Sequence, residues 1–252
     1  MAVESIGRVN LARSDDGVAI VEMADHEGRN ALSPSFVADL LAVIERALQW
    51  ADLKVVVLTG LPEVFCAGAS REALEEVASG RVVPSDLELG RVLLDVRVPV
   101  IAAMEGHAIG GGLALGLYAD VTLVARESRY GCSFMNLGFT PGMGVTRLLP
   151  LVLPSAVAHE MMYAGEPLKG SHFEVVGGFN HVLPRARVRS RALDVAARIA
   201  EKPAVALTSL KRVLAAPKRQ AFEASRADEA LLHAITLSQP DIARRIEDQY
   251  VG

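Results

Sequence analysis

Cysteine is nearly absent from the chain: Cys66 and Cys132 are the only two in 252 residues, and no CxxC pair occurs. That excludes a disulfide framework and fits a reducing, cytoplasmic setting. Aromatic residues are also scarce, at 5% with one tryptophan. With Ala, Val and Leu abundant, the composition points to a helix-rich α/β protein and away from an aromatic β-sandwich. No apolar run approaches the roughly 20 residues that a membrane-crossing helix needs, so no membrane is expected. Glu4, Arg8, Arg13, Asp15 and Asp16 interrupt the N-terminal region, which therefore does not read as a signal peptide. A formal net charge of −4 gives no electrostatic footing for nucleic acid or an anionic surface. No His, Cys, Asp or Glu cluster has ligand spacing, so no metal is implied.

The apolar fraction of 51% is ample for one large core. Residues 17–23 (GVAIVEM), 54–58 (KVVVL), 98–104 (VPVIAAM) and 120–124 (DVTLV) read as strands, mostly buried. Ser33-Pro34 supplies an N-cap and a proline at the first helical position. Val37, Leu40, Leu41, Ile44 and Leu48 then recur at helical spacing. Strand, helix, strand is the signature of a layered α/β fold. A further helix is expected to begin within residues 110–112 and end near Tyr118. Residues 70–90 carry several charges and a short helix over 72–77, and are expected to be mobile. Beyond Pro154 helices are expected over 156–163, 186–201, 204–214 and 222–237. The expected division is a core of residues 1–190 and a helical region of residues 191–252.

Two segments concentrate small residues: residues 65–70 (FCAGAS) and residues 106–115 (GHAIGGGLAL). Small side chains let backbone approach a ligand closely. A helix starting at Gly111 would aim unpaired N–H groups and its positive dipole end at an anion or oxyanion. A glycine run by itself is more often the mark of a tight turn.

The two segments together resemble the enoyl-CoA hydratase/isomerase (crotonase) superfamily. Residues 30–33 (NALS), 128–148 (SRYGCSFMNLGFTPGMGVTRL) and 165–184 (GEPLKGSHFEVVGGFNHVLP) extend the match over most of the chain. The resemblance implies a crotonase spiral of ββα units with a C-terminal helical trimerisation region. It also implies that the backbone N–H groups of Ala69 and Gly111 form an oxyanion hole for a thioester carbonyl. In hydratases two catalytic glutamates serve as general acid and base; the matching positions here are Ala114 and Phe134. Water addition needs such groups, so hydration is not expected.

Residues 134–144 (FMNLGFTPGMG) and 238–243 (SQPDIA) are similar to the decarboxylating branch found in polyketide β-branching cassettes. That resemblance implies a carbon–carbon lyase that removes CO2 from a 3-methylglutaconyl thioester. The substrate would be carried on the phosphopantetheine of an acyl carrier protein, or on coenzyme A, with no bound cofactor. Implied partners are the acyl carrier protein, the β-branching enzymes of the synthase and further copies of the chain, as a homotrimer or dimer of trimers. The arm would enter past Arg29, Asn30 and Ala31, and Phe134 would exclude water from the substrate. His233, on a late helix, matches a histidine that would protonate the dienolate or hydrogen-bond the departing carboxylate; its apolar neighbours also admit a core or interface histidine. His107 reads as structural, and His172 and His181 as surface residues. Relatives carry a lysine in the loop after the first oxyanion segment, to hold the substrate carboxylate. No lysine occurs here between Ser70 and Val98, leaving Arg71 and Arg81 as substitutes, or a mainly apolar carboxylate site. Double-bond isomerisation and a catalytically silent carrier-binding scaffold stay open as alternatives.

Overall fold

The computed structural model describes residues 3–79, 81 and 89–250. Seven strands form the larger sheet in the order β1 (Val3–Ile6), β2 (Val9–Arg13), β3 (Val18–Met23), β4 (Val55–Thr59), β6 (Val100–Met104), β8 (Val121–Ala125) and β11 (His181–Leu183). The first three pair antiparallel and the rest parallel. A smaller sheet runs β10 (Leu168–Lys169), β9 (Arg129–Gly131), β7 (His107–Ile109) and β5 (Val64–Cys66).

Each of the pairs β4–β5, β6–β7 and β8–β9 places its first strand in the large sheet and its second in the small one. A helix then follows: α2 (Arg71–Ala78), α4 (Gly111–Leu117) and α5 (Val145–Val152). This is the repeating ββα unit of a crotonase spiral. The starts of α2 and α4 consequently lie beyond the same end of the adjacent parallel strands β5 and β7.

Strands β4 and β6 are buried at every position, as parallel strands covered on both faces must be. Val56, Leu58, Val100, Ala102 and Met104 face the main core, with α1 (Pro34–Leu48). Val55, Val57, Ile101 and Ala103 face the opposite way, against α8 (Arg185–Ala200). That helix presents Val188, Ala192, Ala196 and Ala200, one residue per turn and mostly alanine, so it lies close on the sheet. The division expected at residue 190 therefore falls inside a helix that belongs to the sheet layers. Helices α9 (Ala204–Leu214), α10 (Ala216–Thr236) and α11 (Ile242–Tyr250) complete the C-terminal part. The helix expected from residue 222 starts at Ala216, because Pro217 sits in its first turn, where no N–H is missed. Strands β5, β7 and β9 have three residues each, too few to show a period. Of the segment expected to be mobile, residues 80 and 82–88 lie outside the described residues. Helices α3 (Leu89–Asp95), α6 (Ser155–Ala164) and α7 (Phe173–Val176) fill the remaining spans.

Candidate active site

Glycine brings the two small-residue segments together. Gly68 has φ +95°, and a Cβ there would stand 2.8 Å from the Ile109 carbonyl oxygen and 3.9 Å from the Gly111 nitrogen. A Cβ on Gly112 would lie 2.3 Å from the Cys66 carbonyl oxygen. Neither position tolerates a side chain, so the start of α4 rests directly on the end of β5. Leu32 N–H donates to Gly68 O at 2.7 Å, and Leu32 and Ala69 form a parallel bridge. Asn30, fully buried, accepts the Asp25 N–H with its side-chain oxygen and donates to Phe65 O at 3.0 Å. It fastens the 29–32 loop to β5.

Ala69 and Gly111 line two adjoining cavities and form the waist between them, with Leu74, Phe134 and Phe139. The larger, about 200 Å³, extends past Leu32, Val37, Val77 and Met143. The smaller, about 100 Å³, extends past Gly110, Ser133 and Leu137. In α4 the first intrahelical bond is Ala114 N–H to Gly110 O, so the Gly111 N–H falls among the helix-start donors with no acceptor inside the helix. Ala114 is fully buried in the core and Phe134 lines both cavities. Two thiols lie nearby in sequence, but burial pushes both Cys66 and Cys132 up to about 12, which leaves them protonated.

Several expected positions fall elsewhere. Arg71 points away from the cavities: its guanidinium pairs with Glu75 at 2.7 Å, in a cleft between α2 and α11. Ser70, the N-cap of α2, fixes this phasing, which turns Ala73, Leu74 and Val77 inward. Arg81 is exposed just past α2 and lines neither cavity. Ala31 is half-buried beside them; its neighbour Leu32 is the residue that reaches the cavity.

His233, expected to reach the substrate, stands behind Phe139. The two rings meet edge to face with centroids 6.1 Å apart, and Phe139 in turn packs on Phe134, also at 6.1 Å. His233 is 2% exposed and its Nε2–H donates to Thr140 O at 2.9 Å. Its Nδ1 is buried without a hydrogen-bond partner among the described residues. Burial lowers the imidazole's pKa, against the upward pull of the Thr140 and Pro141 carbonyls, so the neutral ring is favoured. The histidine braces the wall of the site. His107 accepts the Arg129 N–H at 2.8 Å, a structural bond, and His181 is half-buried at the sheet edge while His172 is exposed.

Glu76 went unnoticed in the sequence. It shares the inward side of α2 with Ala73 and Val77 and lines the larger cavity. Helical phasing from Ser70 was the signal that could have found it.

Residues 13–249 match the enoyl-CoA hydratase/isomerase family. The chain belongs to that family. It is 36% identical to the bacillaene synthase decarboxylase PksI of Bacillus subtilis (strain 168), over 96% of this chain and 97% of that one. A solved structure from a dehydratase/decarboxylase enzyme couple involved in polyketide β-branching superposes with a TM-score of 0.93 at 36% identity, covering 98% of this chain and 100% of the other. The ECH2 decarboxylase domain of CurF from Lyngbya majuscula superposes with a TM-score of 0.90 at 37% identity, covering 96% and 99%. Among the described residues no helix is long and apolar enough to cross a membrane.

Proposed function

We propose that this crotonase-family chain is a carbon–carbon lyase of polyketide β-branching. It would remove CO2 from a 3-methylglutaconyl thioester borne on the phosphopantetheine of an acyl carrier protein, leaving a 3-methylcrotonyl-type thioester. The observation that carries this reading is the waist between the cavities. There Ala69 and Gly111 backbone meets Phe134, while the positions of the hydratase acid and base hold Ala114 and Phe134. The likeness to PksI and to the CurF domain supports the same chemistry.

In the reaction the C–C bond to the carboxylate breaks and its electron pair passes through the conjugated double bond to the thioester oxygen. The Ala69 and Gly111 N–H groups would hold that oxygen as charge develops on it, where preorganised donors act most strongly. An apolar wall from Phe134 and Phe139 keeps water from the dienolate. The pantetheine arm would enter past Arg29, Asn30 and Ala31, a path supported by the next residue, Leu32, which lines the larger cavity. Exposed Leu210, Val213 and Leu214 on α9 and Leu231 and Ile235 on α10 support assembly as a homotrimer or dimer of trimers.

The test is mass spectrometry of a carrier-bound 3-methylglutaconyl thioester before and after exposure to the protein. Loss of one CO2 from the loaded carrier is the expected result. An intact substrate, or its conversion to the hydrated species, overturns the reading. Crotonyl thioester serves as the control and should gain no water.

A further inference from the structure

Among the described residues lining the two cavities, Glu76 alone has a titratable side chain, and Ser133 is the only other polar one. Its carboxylate has no ion pair or hydrogen bond among the described residues. Among the described residues no cation pairs with it. Between Ser70 and Val98 the basic residues are Arg71, Arg81, Arg91 and Arg97. Arg71 pairs with Glu75, and Arg91 lies 3.6 Å from Asp95. Arg97 donates to the Leu48 and Trp50 carbonyls. Arg81 meets Glu76 through backbone, its N–H donating to Glu76 O at 3.0 Å, with its side chain exposed.

An acidic substrate entering this cavity therefore brings its carboxylate into a mainly apolar space that Glu76 lines. Where two carboxyl groups meet in such a space, one proton shared between them relieves their repulsion. We propose that Glu76 is a catalytic acid of this site, sharing that proton with the substrate carboxylate and delivering it to carbon once CO2 has left. The inference rests on the decarboxylase reading.

The step balances without any other reactant. The C–C bond breaks, CO2 departs, and the electron pair moves into the dienolate held at Ala69 and Gly111. As negative charge leaves the substrate carboxyl, the Glu76 proton is free to move to the dienolate carbon, forming a C–H bond. Glu76 is left as a carboxylate and takes its next proton from solvent water when new substrate binds. A lysine at this wall would grip the carboxylate and have to release it in the transition state. A carboxyl instead binds by a shared proton and supplies that proton to the product.

The experiment measures CO2 release and product mass in deuterated water with full-length wild type, Glu76→Gln, Glu76→Leu and Glu76→Asp, using the carrier-bound 3-methylglutaconyl thioester. Gln keeps the shape and cannot give up a proton, so kcat should fall about a hundred- to ten-thousandfold with KM changed far less. Leu should show a loss of kcat of the same order, and Asp should recover part of it. Melting curves confirm that the variants are folded. Wild-type turnover with Glu76→Gln equally active overturns the assignment of Glu76 and leaves the decarboxylase reading intact. A folded wild type that releases no CO2 overturns both.

Discussion

The carboxylate of Glu229, on α10, accepts the backbone N–H of Gly144 at 2.8 Å from a position with no solvent exposure. It also accepts the Thr146 N–H at 3.1 Å and the Thr146 hydroxyl. Gly144 precedes the first residue of α5, so a side chain from a distant helix serves as that helix's N-cap. One turn further along α10, His233 holds Thr140. Together the two residues fix both ends of the 140–146 loop, which carries Met143 into the larger cavity. Glu229→Ala leaves buried donors without an acceptor and should cost roughly 3 kcal/mol or more, since each such donor costs about 1–3 kcal/mol. Urea unfolding measures this, and amide exchange over residues 140–148 should speed up. A loss below about 1 kcal/mol would mean that water takes over the three bonds.

The oxyanion assignment is open to a comparison of two variants. A Cβ at Gly111 meets Met143 Sδ at 2.6 Å and Leu32 Cδ1 at 3.0 Å, both at the ends of flexible side chains. Gly111→Ala and Gly111→Pro share that crowding, but only proline deletes the N–H, and proline is accepted at the first helical position. The proline variant should turn over about a hundred- to a thousandfold more slowly than the alanine variant, the usual cost of one such donor. Equal rates would remove the Gly111 N–H from the site.

The parts of the site legible in sequence are those written in backbone. Gly68 and Gly112 declare a close approach because no other residue fits, and Ala114 and Phe134 stand where the resemblance to hydratases would place carboxylates. The long strands and helices were visible in their periodicity, whereas β5, β7 and β9 were too short to show one. Side-chain direction was harder. Arg71 and Glu76 sit on the same short helix, yet one faces α11 and the other the cavity, a distinction that depends on counting turns from Ser70. His233 and Glu229 share one side of α10, and nothing local to α10 says that the loop after β9 will lie against it.

Structure and sequence disagree most over His233, which makes it a discriminating position. If the imidazole braces Thr140, His233→Gln should turn over within a few-fold of wild type, because the glutamine amide can donate to the same carbonyl. His233→Leu should instead lower stability by about 1–3 kcal/mol through the unpaired Thr140 carbonyl. Turnover and melting temperature are measured together. A Gln variant that keeps its melting temperature but loses a hundredfold or more in rate would show that the ring reaches the substrate and acts as a general acid.

The far end of α4 holds a second charge of consequence. Lys218 Nζ donates to the carbonyls of Leu117 and Ala119, capping the helix whose first residue is Gly111. Burial lowers its pKa from 10.5 to about 8; Asp120 opposes the shift and Lys211 adds to it. The unfolded chain keeps this proton until near pH 10.5, whereas the folded protein releases it above about pH 8. Between those values the unfolded state binds more protons, so this residue makes the fold more stable as pH rises. Lys218→Met has no such dependence. The stability of wild type relative to the variant should therefore increase by on the order of 2 kcal/mol from pH 8 to pH 10, at about 1.4 kcal/mol per pH unit minus the partial titration at each end. Urea unfolding of both proteins across that range reads the difference directly. A constant difference would mean that Lys218 keeps its proton in the folded protein and that the α4 carbonyls are held by an ammonium throughout.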